Sequence, residues 1–288
     1  MSNLSKKKIL ELQIAADKIR IDVLNMTFNA QSGHPGGSLS IADAVAYLYF
    51  CEMNYSKKNY RHPDRDRFVL SKGHCCPAVY SALSFAGIVA RKEIPFFRQI
   101  NHTLQGHPSV METPGIEATT GSLGQGFSAA VGIALAGKID NKNYRVYCAL
   151  GDGETQEGQI WEAAMSAAHF KLNNLTIFVD HNNLQIDGLV ENIMNVMPLK
   201  EKFESFGWNA ISINGHNLNE INDAVEKAKT SKKPFAVIME TIKGKGVSFM
   251  EGKTKYHGKA LTPEEMELAV QELNAEIELN KKGLRKLR

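Results

Sequence analysis

The sequence predicts an α/β fold: a doubly wound, mostly parallel sheet with helices on both faces. Two short apolar runs, Arg145–Leu150 (RVYCAL) and Leu175–Asp180 (LTIFVD), read as buried parallel strands. Between them Gln156–Lys171 repeats at helical spacing, with Ile160, Ala164 and Ala167 in one row and Trp161, Met165 and Ala168 in its neighbour. Strand, helix and strand in this order make a right-handed βαβ unit. Ala210–Ile213 and Phe235–Glu240 (FAVIME) read as two further strands, with a helix at Leu218–Lys229 between them, so the alternation continues.

The remaining elements follow in chain order. Leu4–Phe28 carries Ile9, Leu12, Ala16, Ile19, Val23 and Met26 at steps of three and four, an amphipathic helix with one buried stripe. Ile41–Phe50 reads as a second helix, and Arg67–Leu70 as a short strand or turn before Ser71-Lys72-Gly73-His74. Leu123–Ile139 is a helix full of Ala and Gly, which lets a neighbouring element approach closely. Thr262-Pro263-Glu264-Glu265 has Thr at N-cap, Pro at N1 and Glu at N3, a capping box opening a helix that runs to about Leu279. The basic tail Lys281–Arg288 reads as a frayed, solvated end.

Length and composition bound the rest. At ~100–200 residues per domain, 288 residues allow one large or two small domains. With no repeat and no low-complexity linker, a single domain over 1–288, with a C-terminal helix and tail from about 262, is the better count. Lys+Arg 34 against Asp+Glu 31 leaves +3, too balanced for a dedicated nucleic-acid binder. No run of ~18 apolar residues suggests a membrane span. Lys6, Lys7, Lys8, Glu11 and Asp17 interrupt any signal-peptide core, so a cytoplasmic enzyme is expected. Cys51, Cys75, Cys76 and Cys148 make no C-x-x-C and read as reduced structural thiols.

Chemistry concentrates where strands end. Gly151-Asp152-Gly153 follows one buried strand and Asn182-Asn183 follows the next, and ligands of open α/β sheets bind at that rim. A dinucleotide loop would need glycine where Gln156 stands, and Asp152 would repel a bare pyrophosphate. A divalent cation between them turns repulsion into attraction: an Asp carboxylate, an Asn amide oxygen, a backbone carbonyl and phosphate oxygens suit octahedral Mg²⁺. The plainer alternative is a strand-ending turn with Asn182 in a loop. His34, His74, His107, His216 and His257 all lie in loops marked by Gly or Pro, where imidazoles suit a polyhydroxylated substrate and proton transfer, or are simply surface residues. Gly121-Ser122-Leu123-Gly124-Gln125-Gly126 opens a helix whose free N–H groups could hold an anion; a packing cluster is the alternative. Lys243-Gly244-Lys245-Gly246 ends at the same rim and reads equally as a phosphate contact or a solvated turn.

Taken in order, Ser32-Gly33-His34-Pro35-Gly36, Ser71-Lys72-Gly73-His74, Gly106-His107-Pro108, Thr120 to Gly126, Gly151-Asp152-Gly153 with Glu157-Gly158, Asp180 to Gly188, and His257-Gly258-Lys259 resemble the N-terminal, diphosphate-binding domain of the transketolase family. The match runs along nearly the whole chain. It implies thiamine diphosphate as cofactor with Mg²⁺ (or Ca²⁺ or Mn²⁺) held by Asp152, Asn182 and the carbonyl of Leu184. It further implies cofactor contacts from Gly121, Ser122, Leu123, Gly153 and Asn182, support of the diphosphate by Lys243, and a subunit contact at Glu157 that couples two active sites. His34, His74, His107 and His257 would surround the cofactor and the sugar hydroxyls and act as catalytic residues. Some relatives carry an extra histidine three residues before the His-Gly pair; here that position is Thr254, so His257 must serve alone.

Full-size family members continue into a pyrimidine-binding and a C-terminal domain, which carry the glutamate that activates the cofactor. The resemblance therefore implies a split enzyme: αβ pairs with a separate C-terminal subunit, forming a heterotetramer. That enzyme would transfer a two-carbon ketol unit from a ketose phosphate to an aldose phosphate in pentose phosphate metabolism, with sugar phosphates as substrates and neither nucleic acid nor membrane as partner. The α subunit of a 2-oxo-acid dehydrogenase is the nearest alternative, set back by the SGHPG, SKGH and GHPS segments; a non-catalytic cofactor-binding subunit is another.

Overall fold

The computed structural model describes residues 3–287. Five strands, β1 (Arg67–Leu70), β2 (Val146–Gly151), β3 (Leu175–His181), β4 (Asn209–Asn214) and β5 (Phe235–Glu240), form one parallel sheet in the order β1-β2-β3-β5-β4. The helices in chain order are α1 (Lys6–Ala30), α2 (Pro35–Ser40), α3 (Ala42–Tyr47), α4 (Cys76–Phe85), α5 (Gln125–Ile139), α6 (Gly158–His169), α7 (Val190–Met194), α8 (Leu199–Ser205), α9 (Leu218–Thr230) and α10 (Pro263–Arg285).

Successive strand side chains point to opposite faces, and each face has its own core. Tyr147, Ala149, Phe178, Val237 and Met239 pack beneath α1, α3, α4 and α9. Val146, Cys148, Leu150, Ile177, Val179 and Ile238 pack against α5, α6 and α8 on the other face. Helices therefore cover both faces, as the continuous apolar runs predict.

The differences from the sequence reading have local causes. The expected helix at Ile41–Phe50 is broken: Pro35 starts α2 earlier, Ile41 joins α2 to α3, and the last turn, Leu48–Glu52, widens to a π-helix. Ser38 Oγ donates to His34 O, a side-chain bond that competes with a straight helix. α5 begins at Gln125 rather than Leu123 because Gly124 takes φ +83° at its N-cap. α4 has no counterpart in the sequence reading; it is buried on nearly every face and shows no apolar stripe. α7 and α8 are too short to show a period.

The capping box of α10 is formed: Thr262 Oγ1 accepts from Glu265 N, and Glu265 Oε2 accepts from Thr262 N. Beyond it the frayed-end expectation fails for Lys281–Arg285, which continue the helix. α10 lies along α1, so its last turns are docked; a Cβ on Gly283 would stand 3.1 Å from Leu10 Cδ1. Ala269, Leu273 and Ile277 form its buried stripe. Leu273→Ala should lower the unfolding free energy by about 2–5 kcal/mol in a urea titration, the range for an emptied leucine site. A loss under about 0.5 kcal/mol would mean α10 is not part of the cooperative core.

Candidate functional site

β2, β3 and β5 end level with one another, Gly151 opposite Asp180 and Asp180 opposite Met239. A cleft of about 320 Å³ opens at this edge. It gathers predicted residues from far apart in the chain: His34, His74 and His257, Asp152 with Gly153, Asn182 with Leu184, and Lys243. Gly121, Leu123 and Glu157 line it too, Glu157 being exposed at the start of α6.

Asp180 sits fully buried at the base. It pairs with Lys72, and it accepts from Ser40 Oγ at 2.6 Å, Asn182 Nδ2 at 3.1 Å and Thr241 Oγ1. Burial alone would raise its carboxyl, but Lys72 and these hydrogen bonds outweigh it and hold it below the usual range. Lys72 is likewise depressed by burial and raised overall by Asp180.

Asp152 is placed differently. Oδ1 accepts from Gly153 N at 2.7 Å and Oδ2 from Asn183 N at 2.6 Å. It makes no ion pair among the described residues. Burial, then the nearby Asp180, pushes its carboxyl up. Asn182 Oδ1 accepts from Leu184 N at 3.1 Å, and Leu184 O accepts from Lys243 Nζ at 2.8 Å. Among the described residues no group of three or more His, Cys, Asp and Glu is placed to hold a metal. The oxygen set is one carboxylate, one amide and one carbonyl, hard donors that suit Mg²⁺ or Ca²⁺ with outside oxygens completing the shell. A divalent cation would supply the counter-charge that Asp152 lacks, so the residues fit the ion.

The histidines form a cluster across the cleft. The ring of His34 lies 5.2 Å from His74, 5.5 Å from His257 and 6.4 Å from His107. Burial, then Arg98, pulls His34 down to about 4; burial, then Lys243, pulls His257 down to about 3. Burial and Lys72 hold His74 well below the usual imidazole range, and His107 is lowered by burial and Arg98. All four are neutral near pH 7, each with one donor and one acceptor nitrogen. Lys243 Nζ also lies 2.8 Å from His257 Nδ1, and burial, then Lys72, brings this amine down to about 8. His34 Nδ1 is buried with no hydrogen-bond partner among the described residues.

Not every expected residue joins the cleft. Ser122 is exposed outside its lining, and His107 stands at its outer edge against Gly121. The glycine segment before α5 does not offer all its N–H groups: Gly124 N donates to Glu154 Oε1 at 2.9 Å and Phe127 N to Ser71 Oγ at 3.0 Å. A Cβ on Gly126 would come within 2.6 Å of Ser71 Cα, so close packing explains that glycine. His216 lies elsewhere, on a second cleft with Lys245.

A family model described as transketolase, thiamine diphosphate binding domain, matches residues 12–279. The chain belongs to the transketolase family. It is 46% identical over 268 residues to a 6-deoxy-6-sulfo-D-fructose transketolase subunit of Clostridium sp. (strain MSTE9), covering 93% of this chain and 98% of that one. It is 40% identical over 268 residues to an apulose-4-phosphate transketolase subunit of Phocaeicola vulgatus, covering 93% and 95%. Human transketolase is 40% identical over 97% of this chain, which spans 44% of that protein. The transketolase structure from Campylobacter jejuni superposes with TM-score 0.88 at 34% identity, covering 97% of this chain and 48% of that one. The chain thus spans about half the length of single-chain transketolases and nearly all of the subunits. These relatives support a transferase of the transketolase type, in subunit form, over the α subunit of a 2-oxo-acid dehydrogenase.

Three residues at the base of the cleft receive no role in the sequence reading: Lys72 and Asp180, which lie within its motifs, and Glu154. Each has a signal. Lys72 lies just beyond β1 and Asp180 near the end of β3, at one rim, where a buried carboxylate needs a partner. Glu154 follows Gly151-Asp152-Gly153 directly and accepts from Gly151 N at 3.0 Å as well as from Gly124.

The buried pair sets a pH dependence. Asp180, held low, contributes stability above about pH 4 that is lost as pH falls, while Lys72, held high, contributes below about pH 10 and loses it as pH rises. Lys72→Met should cost about 3–5 kcal/mol at pH 7 by leaving Asp180 unpaired. Urea unfolding should show this gap narrowing towards pH 4 as the lone carboxyl takes a proton; a gap constant from pH 7 to pH 4 would rule out a charged pair.

Proposed function

We propose that this chain is the diphosphate-binding subunit of a split transketolase, which moves a two-carbon ketol unit from a ketose phosphate to an aldose phosphate. One observation carries the reading: the level ends of β2, β3 and β5 bring Asp152, Asn182, the Leu184 carbonyl and Lys243 into a single cleft with His34, His74 and His257. Relatives matched along nearly their whole length and named as transketolase subunits support it.

In this reading Asp152, Asn182 and Leu184 O would hold Mg²⁺, which would supply positive charge for a diphosphate. Thiamine diphosphate, when bound, supplies an electron sink for breaking the bond between C2 and C3 of a ketose. The chain's own residues bind and orient. Gly121, Leu123 and Gly153, which line the cleft, would contact the cofactor, and Lys243 would offer positive charge to its diphosphate. Protonated Lys243 donates to His257 Nδ1, which leaves the proton of His257 on Nε2 as a donor towards a sugar oxygen. His34, His74 and His107, neutral, can each give one hydrogen bond and take another, which suits hydroxyls that must lose or gain a proton. Glu157, exposed at the rim, is the contact to a second active site.

A C-terminal subunit supplies the remaining groups, with αβ pairs assembling as a heterotetramer in the cytoplasm. The described residues contain no helix long and apolar enough to cross a membrane. Pentose phosphates are the default substrates. The relatives' names, which include a sulfo-sugar and apulose 4-phosphate, also support a more specialised ketose.

The test is a tagged pull-down followed by a two-carbon transfer assay with thiamine diphosphate and Mg²⁺. A second chain at one-to-one ratio and ketol transfer by the pair are expected; cleavage of pyruvate without transfer between sugars would sink the reading. Asp152→Ala and His74→Ala should each lower turnover of the assembled enzyme by about 100-fold or more, a typical loss for a key electrostatic group. Normal activity in either variant removes that residue from the site. Chelation should abolish cofactor retention, and retention unchanged in excess EDTA would exclude the metal role.

A further inference from the structure

His216 shares the Gly-marked loop setting of the other histidines, yet it lies outside their cluster. Its surroundings are specific. Ile242 N donates to His216 Nε2 at 2.9 Å, so that nitrogen is unprotonated and Nδ1 carries the hydrogen. Nδ1–H meets Asp43 Oδ2 at 2.7 Å, and Asp43 in turn pairs with Arg20, which also holds Asp17 at 2.9 Å. The loop is pressed against the end of β5: a Cβ on Gly215 would stand 2.5 Å from Thr241 Cγ2, and Gly215 N donates to Glu240 O at 2.9 Å.

The bond falls between two residues that matter. Thr241, one residue earlier, donates to Asp180, and Lys243, one residue later, reaches Leu184 O and His257. Resting on the cofactor reading above, we infer that His216 is a positioning residue: a relay Arg20–Asp43–His216 grips the Ile242 amide and so fixes how Thr241 and Lys243 enter the cleft. It acts from behind, through the backbone, and touches neither cofactor nor substrate.

Two amides separate the two halves of this imidazole. His216→Asn keeps a group for Asp43 but is too short for the Ile242 amide, whereas His216→Gln places an acceptor near the position of Nε2. In the full chain without cofactor, hydrogen exchange at the Ile242 amide should quicken in the Asn variant and stay close to wild type in the Gln variant. In the native assembly, calorimetric titration with thiamine diphosphate and Mg²⁺ should show about 3- to 10-fold weaker binding for Asn and near-wild-type binding for Gln. Equal binding by both variants, whether both normal or both weakened, would overturn the relay. A wild-type assembly that does not bind the cofactor at all would overturn the reading on which it rests, and the relay's role with it.

Discussion

An ion pair buried at the end of the sheet, Lys72 with Asp180, ties together four of the segments that build the base of the cleft. Asp180 is the penultimate residue of β3, Lys72 follows β1, Ser40 ends α2 and Thr241 follows β5, and all of them meet at one carboxylate. Asn182, two residues on, also donates to it. A lone charge at that depth would be untenable, so each partner requires the others in place. This turns a set of flexible loop entries into a fixed rim. The two carboxylates of the rim then divide the work: Asp180 is saturated by the protein, while Asp152 accepts from two backbone N–H groups and, among the described residues, makes no ion pair.

The electrostatics of the cleft follow from the same crowding. Lys72 and Lys243 both stand near the histidines, and each cation makes a further positive charge there unfavourable. Burial acts in the same direction. The result is a basic surround in which imidazoles stay neutral, an arrangement that welcomes a multiply charged anion and still leaves uncharged donors and acceptors for hydroxyl groups. Arg98 extends it on the side of His34 and His107, holding Ser32 Oγ at 2.9 Å and Gly106 O at 3.3 Å, two residues from one histidine and one from the other.

Much of this was legible in the sequence. Apolar runs mark buried strands, and glycines mark where strands end, so the sheet and the rim residues Asp152, Asn182, His74 and Lys243 could be located by pattern and resemblance. What pattern could not show was partnership. Glu154 reads as one more turn residue until Ser71, Gly124 and Gly151 are seen converging on it. α4 escaped because burial on nearly every side erases the periodicity that reveals a helix. The basic stretch Lys281–Arg285 reads as solvated because its charges are local, whereas its docking depends on Leu10, far away in the chain.

The α1–α10 contact has a consequence for how the chain is made. α1 is the first described helix to leave the ribosome and α10 the last, so the stripe along α1 that α10 covers stays open through synthesis of everything between. The sheet and most of both cores can condense earlier from nearer neighbours. Closure by α10 is then a late event relative to α1, and a nascent chain halted before residue 263 would leave uncovered the stripe of α1 that α10 packs on. Such a stripe is a natural holding point for a chaperone and a natural site of mispairing when none is present.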